Sequence, residues 1–163
     1  MDRTGVLFVC LGNICRSPLA EGIFLDLISK RGLADRFDVD SCGTGGWHHG
    51  EPADPRSVAI ALKHGLELAH QARQFNPRTD PARFPWIIAM DRSNVRNLIQ
   101  YGANPARVRL MRTFDRAMHG KRDTELDVPD PYSWSGDGFE DVYQMLAAAC
   151  GGLVEVLVDE LES

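Results

Sequence analysis

Positions 5–10, Gly-Val-Leu-Phe-Val-Cys, form an unbroken apolar run that ends on a thiol. Short continuous runs of this kind mark strands buried on both faces of a parallel sheet. Phe37 to Ser41, Trp86 to Met90 and Arg107 to Met111 read as three further strands. Between them the pattern switches to helical period. Ala20, Ile23, Phe24, Leu27 and Ile28 share one helical face, with Ser17-Pro18 as N-cap and first helical residue, Glu21 in the first turn and Gly32 as the stop. Asp54-Pro55 opens a helix ending near Gly65, and another is predicted from Asp91 to Tyr101. Asp137 with Glu140 marks the start of the last helix, whose stripe is Phe139, Val142, Tyr143, Leu146, Ala149, Cys150, Leu153, Val156 and Leu157. Gly151-Gly152 weakens it with no evident reason. Strands alternating with helices predict an open α/β sheet in one domain, 1–163. Ligands of such sheets bind beyond the carboxyl ends of the strands, where Cys10 sits.

Bulk properties narrow the field. A chain of 163 residues buries roughly 70% of its unfolded surface and needs no metal or disulfide staple. The formal charge of -5 argues against a general nucleic-acid binder, although arginine outnumbers lysine fifteen to three. No apolar run reaches the ~20 residues of a membrane span, and the opening run is too short and too early for a signal peptide. The expected location is the cytoplasm, with secretion by another route left open. Cys10, Cys15, Cys42 and Cys150 form no CxxC pair and no zinc spacing, so they read as free thiols. His48-His49 lacks partners at metal-ligand spacing. Neither a metal nor a cofactor is expected.

The candidate chemistry lies in Cys10-Leu11-Gly12-Asn13-Ile14-Cys15-Arg16-Ser17. Five residues between Cys10 and Arg16 can curl so that backbone N–H groups point inward, and a helix N-terminus then closes an anion cradle. Gly12 relieves strain, Asn13 tolerates a left-handed conformation, and Arg16 adds a planar fork for two phosphate oxygens. Such surroundings favour a thiolate, placed for in-line attack on phosphorus through a cysteinyl-phosphate. A cysteine ending a strand is otherwise a small buried apolar group. The strand before and the helix start after favour the chemical reading. A departing phenolate also needs a proton, for which Asp115, Asp123, Asp127 and Asp130 are candidates. Asp130-Pro131 sits on the stiffest backbone.

The stretch "VLFVCLGNICRSPLAEGIF" resembles the signature of the low-molecular-weight protein-tyrosine phosphatases. The likeness continues through "DSCGTGGWHHG", "HQARQF", "IIAMDRSNVRNL" and "DVPDPYSWSGDGFEDVY". The resemblance implies a flavodoxin-like, four-stranded parallel sheet with helices on both faces, and metal-independent hydrolysis of phosphotyrosine and small aryl phosphates. It also implies roles. Cys10 would be the nucleophile, with Leu11, Gly12, Asn13, Ile14, Cys15 and Arg16 around the phosphate. Ser17 would donate to the Cys10 sulfur, and Asp130 would be general acid and then base. Asn13, Ser41 and His70 would hold the cradle in shape, Asp91 would lie near it, and Leu11, Trp47 and Tyr132 would line the ring slot.

Without the resemblance, His70 reads as structural or exposed, Ser41 as a strand end, Asp91 as a helix N-cap, and Asp115 and Asp123 as solvated loop charges. Cys15 is either a redox partner of Cys10 or a group packed beneath the loop. Cys42 and Cys150 read as structural. Ser133-Trp134 departs from the family pattern of a second tyrosine, which leaves substrate preference open. The implied partners are phosphotyrosine proteins, a tyrosine kinase among them, met by a monomer that binds neither nucleic acid nor membrane. Two rival readings fit part of the pattern. An arsenate reductase of the same fold would need two more cysteines in mid-chain, and residues 71–100 contain none. A non-catalytic phosphate-binding adaptor would not need the full set of nucleophile, arginine, serine and acid.

Overall fold

β1 (Thr4–Cys10), β2 (Phe37–Gly43), β3 (Trp86–Ala89) and β4 (Val108–Leu110) form one parallel sheet in the order β2-β1-β3-β4, in a computed structural model that describes residues 2–132 and 138–163. The helices are α1 (Arg16–Lys30), α2 (Pro55–Lys63), α3 (Asp80–Arg83), α4 (Arg92–Gln100) and α5 (Gly138–Glu162). All pairings are parallel, with Phe8 opposite Ser41 on one side and Ile88 on the other. β1 is therefore central, which explains its continuous apolar run. Val6, Phe8 and Cys10 turn toward α1 and α5, whereas Leu7 and Val9 turn toward Phe84 and toward Leu98 of α4. The chain leaves β1 between neighbours that continue in opposite directions across the sheet, the switch point at which such sheets bind ligands.

Several boundaries differ from those predicted. α1 starts at Arg16, with Cys15 as an N-cap that makes no side-chain cap bond. Ser17 is thus the second helical residue, its hydroxyl turned inward rather than capping, and Glu21 falls beyond the first turn. The bare helix end points its amides into the preceding loop. β2 runs two residues further than the alternation predicted, bringing Gly43 opposite Cys10. A Cβ on Gly43 would stand 2.7 Å from the Leu11 carbonyl, so only glycine lets this strand end lie against the loop. α3 was not anticipated, and the long connection after β4 is folded into short 3-10 turns at Met111–Phe114, Arg116–Met118 and Asp123–Glu125.

Helix α5 carries the predicted stripe, except that Val156 is exposed while Val154 and Val158 are buried. The inward face past Cys150 follows 153, 154, 157 and 158, as a 3.6-residue period requires. By length and composition α5 is apolar enough to cross a membrane, with a mean hydropathy of 1.4 in its best window. Its stripe is packed against α1 and the sheet. Gly152 acquires a reason: a Cβ there would lie 1.7 Å from the Phe114 carbonyl, so the helix passes directly over the first 3-10 turn. Asp137, read as part of the helix start, lies outside the described residues, as do Ser133 and Trp134.

Candidate active site

Cys10 ends β1 with 2% of its surface exposed, and the loop after it curls back around the sulfur. Asn13 makes the curl possible. Its φ of 59° is the one positive value on a non-glycine among the described residues, and asparagine tolerates it. The Asn13 amide then donates to Cys10 Sγ at 3.3 Å. Among the described residues, the amides of Gly12, Ile14 and Cys15 donate to no backbone carbonyl. Unpaired amides at the lip of a helix N-terminus are a site for an anion.

The Asn13 side chain braces this loop. Its Oδ1 accepts from the Arg73 amide at 2.9 Å, which leaves Nδ2 to donate to Ser17 Oγ at 2.8 Å and Ser41 Oγ at 3.0 Å. Ser17 Oγ stands 3.0 Å from Cys10 Sγ and 3.5 Å from the Cys42 carbonyl, and the Ser41 hydroxyl donates to Glu21 Oε1 at 2.6 Å. His70 Nε2 donates to the Asn13 carbonyl at 2.6 Å. Burial lowers the His70 pKa from its ordinary value, against the pull of that hydrogen bond. Burial pushes the Glu21 carboxyl up to about 7. Asn13, Ser41 and His70 are thus joined in one hydrogen-bond network. Glu21 and Arg73, which tie the same network to α1 and to the Asp80 carboxylate, were not anticipated.

Arg16 is 1% exposed, and its guanidinium is held from one side. Nη1 donates to Asp91 Oδ2 at 2.6 Å and to the Val128 carbonyl at 2.8 Å. The opposite edge is different: Nε is buried with no acceptor among the described residues, and Nη2 stands 3.5 Å from Asp130 Oδ2. That edge is a two-pronged donor of the kind that matches two oxygens of a phosphate-like group. Burial opposes the charge on Arg16, but Cys10, Asp91 and Asp130 outweigh it and raise its pKa. Asp91 combines both roles read for it, since it also closes a capping box with Asn94 at the start of α4.

The four candidate acids separate cleanly. Asp115 is buried and caps the Arg116–Met118 turn, which corrects its reading as a solvated charge. Asp123 is exposed. Asp127 is taken up by Arg92: burial works against its charge, yet Arg92 holds the carboxyl below the usual range. Asp130 alone of the four lines the cavity above Cys10, with its Oδ1 accepting from the Tyr132 amide at 3.1 Å.

That cavity, of about 290 Å³, is lined by Cys10, Leu11, Gly12, Ile14, Cys15, Arg16, Trp47, His48, Asp130 and Tyr132. Its rim is apolar and exposed, with Leu11 at 39%, Trp47 at 71% and Tyr132 at 50%. Its floor is the cradle. Beneath the loop, Cys15 lies within reach of the Asp54 charge, and burial followed by Asp54 pushes its thiol up to about 12. Cys42 and Cys150 are fully buried, and burial raises both thiols well above their ordinary value. Arg56, paired with Asp54, donates to the Tyr132 carbonyl at 2.7 Å and so ties the slot wall to α2. The sequence offered no signal for that tie, since Asp54 reads fully as a helix cap. Among the described residues no cluster of His, Cys, Asp and Glu could hold a metal.

Residues 5–163 match the family model described as low molecular weight phosphotyrosine protein phosphatase. A low molecular weight protein-tyrosine-phosphatase of Streptomyces coelicolor is 43% identical over 160 residues, covering 96% of this chain and 95% of its own. The crystal structure of a protein tyrosine phosphatase from Entamoeba histolytica, with Hepes in its active site, superposes with a TM-score of 0.88 at 31% identity, covering 96% of this chain and 98% of the other. A drosophila arginine phosphatase superposes with a TM-score of 0.82 at 31% identity, covering 93% and 96%.

Proposed function

Since the chain belongs to the low molecular weight phosphotyrosine protein phosphatase family and is an enzyme that hydrolyses phosphotyrosine, we propose that Cys10 is its nucleophile, Arg16 its phosphate clamp and Asp130 its general acid and base. The observation that carries this assignment is the Nε of a buried guanidinium, which has no acceptor among the described residues, on an arginine lining the same cavity as the thiol and one carboxyl. A buried polar atom without a partner is costly unless a ligand completes it.

The steps follow from the geometry. The Cys10 thiolate attacks phosphorus, and the S–P bond forms as the P–O bond to the phenol breaks. The loose transition state places charge on the equatorial oxygens, where the loop amides and the Nε–Nη2 edge of Arg16 meet it. Asp130 gives its proton to the departing phenolate oxygen. Water then enters from the side that the phenol left. Asp130 takes one of its protons, the water oxygen bonds to phosphorus as the S–P bond breaks and inorganic phosphate forms, and the Ser17 hydroxyl and Asn13 amide stabilise the returning thiolate. Leu11, Trp47 and Tyr132 hold the flat ring against the slot walls. Phosphotyrosine proteins are the substrates, and a tyrosine kinase bearing the modification fits this slot as one of them.

Apolar walls also argue for a phenol over a guanidinium leaving group, because Asp130 is the one carboxylate among the described residues that lines the cavity. The test is a leaving-group series with Asp130→Ala. Turnover of phenyl phosphate should fall about 10²–10⁴-fold, and that of a nitrophenyl phosphate much less. Equal losses would place the acid elsewhere. A phosphoarginine peptide hydrolysed faster than its phosphotyrosine counterpart would overturn the ring-slot assignment.

A further inference from the structure

Arg92 and Arg96 stand one turn apart on α4 and form a ridge with a depression on each side. One depression, of about 420 Å³, shares Asp130 with the catalytic slot. The other, of about 340 Å³, runs against β4, the outer strand of the sheet, and takes in Arg109 and Thr113. Arg92 and Arg96 line both, so a path leads from the slot over the ridge to the sheet edge.

Charge along that path is uneven. In the near depression the carboxylates of Asp91 and Asp127 already have arginine partners, Arg16 and Arg92. Among the described residues, the far groove holds three guanidinium groups against one carboxylate, the exposed Asp123. Neither Arg96 nor Arg109 has a carboxylate partner among those residues. Arg109 is held in place without one: its guanidinium lies 4.1 Å over the Trp86 ring, and Nη1 donates to the Arg107 carbonyl at 3.3 Å. Arg96 is exposed. The floor between the two is apolar, made by Val95, Val108 and Leu110. On a chain of formal charge -5, this is a local excess of positive charge beside the catalytic slot.

We propose that this groove docks an acidic segment of the phosphotyrosine protein, with Arg96 and Arg109 meeting Glu or Asp side chains above the apolar floor. The proposal rests on the phosphatase reading of the slot, because the bound phosphotyrosine is what brings the segment to the groove. An extended chain advances ~3.3 Å per residue and α4 rises ~6 Å from Arg92 to Arg96, so the acidic residues fall roughly three to six positions from the phosphotyrosine. Two cations at the rim of an apolar floor match a segment that carries both acidic and apolar side chains, which makes this a peptide surface.

The test uses three phosphotyrosine peptides of equal length, differing only at positions three to six on both sides of the phosphotyrosine, where all carry serine, glutamate or lysine. At low ionic strength the glutamate peptide should exceed the serine peptide in kcat/KM about threefold to tenfold, through KM, as expected for two exposed ion pairs. The gain should vanish near about 0.5 M salt. Arg96→Glu should invert the order and favour the lysine peptide, with nitrophenyl phosphate turnover and thermal unfolding unchanged. Arg109→Gln should cut the glutamate gain at least twofold. No preference for glutamate in the unmodified protein, or a preference that survives in Arg96→Glu, would overturn the proposal. A failure of the phosphatase reading is distinguishable, because the unmodified protein would then leave nitrophenyl phosphate and all three peptides intact.

Discussion

Ser17 Oγ accepts from Asn13 Nδ2 at 2.8 Å, and of the two acceptors within reach of its proton Cys10 Sγ at 3.0 Å is nearer than the Cys42 carbonyl at 3.5 Å. A donor fixed in this way matters most when the sulfur becomes a leaving group. Ser17→Ala should therefore slow breakdown of the cysteinyl-phosphate on the order of 10²-fold. Rapid-quench measurement should show a burst of phenol followed by slow turnover. A variant whose burst phase slows while its steady state is unchanged would place Ser17 in the first step instead.

The adjacent glycines of α5 separate packing from propensity. Gly152 faces the Phe114 carbonyl, whereas a Cβ on Gly151 would meet nothing within 4 Å. Gly152→Ala should destabilise by about 3 kcal/mol, since the helix must lift off the turn beneath it. Gly151→Ala should stabilise by about 0.5–1 kcal/mol through helix propensity. Urea unfolding of both variants checks the pair, and similar effects at both positions would contradict the packing.

Much of this arrangement is legible in the sequence because it depends on local rules. The run from Gly5 to Cys10 announces a doubly covered strand, and Gly12-Asn13 announces a curl needing positive φ. The family motifs pick Asp130 out of four acids. What escaped depends on contacts between distant segments. Gly152 has meaning only against Phe114, 38 residues earlier in the chain, and Arg56 only against the Tyr132 carbonyl. Ser17-Pro18 misled because the pattern of a capped helix is the same whether the hydroxyl caps or turns toward a sulfur. In the sequence His48 is half of a histidine pair without metal partners. Its position at the slot follows from the fold of the Trp47 loop.

Glu21 gives stability a pH dependence. Its carboxyl is raised by burial to about 7, above the ~4.3 of an unfolded chain. Between those values the folded protein holds a proton that the unfolded chain has released, so the stabilisation present below pH 4 is lost as pH rises through 7. Relative to Glu21→Gln, which keeps an acceptor for Ser41, the native protein should lose on the order of 3 kcal/mol between pH 4 and 8. Parallel pH profiles for the two proteins in chemical denaturation would rule this out.

Cys15 is held protonated beneath the cradle, its thiol at about 12 through burial and then the Asp54 charge. After peroxide oxidises Cys10 to a sulfenate, a Cys10–Cys15 disulfide forms only as fast as Cys15 deprotonates and expels hydroxide. Asp54→Asn, which keeps the helix cap, should speed that closure several-fold, read by mass spectrometry of alkylated peptides. Unchanged closure, or trapping of Cys10 by Cys42, would remove Cys15 from this role.

The assignment of the nucleophile is tested most directly by trapping the intermediate. Asp130→Ala, slowed in the water step, should be mixed with a nitrophenyl phosphate, quenched in acid and digested. The account predicts one phosphoryl group on the peptide containing Cys10, and none when Cys10 is replaced by alanine. A phosphoryl group on any other residue, or turnover that persists in the Cys10→Ala variant, would contradict it.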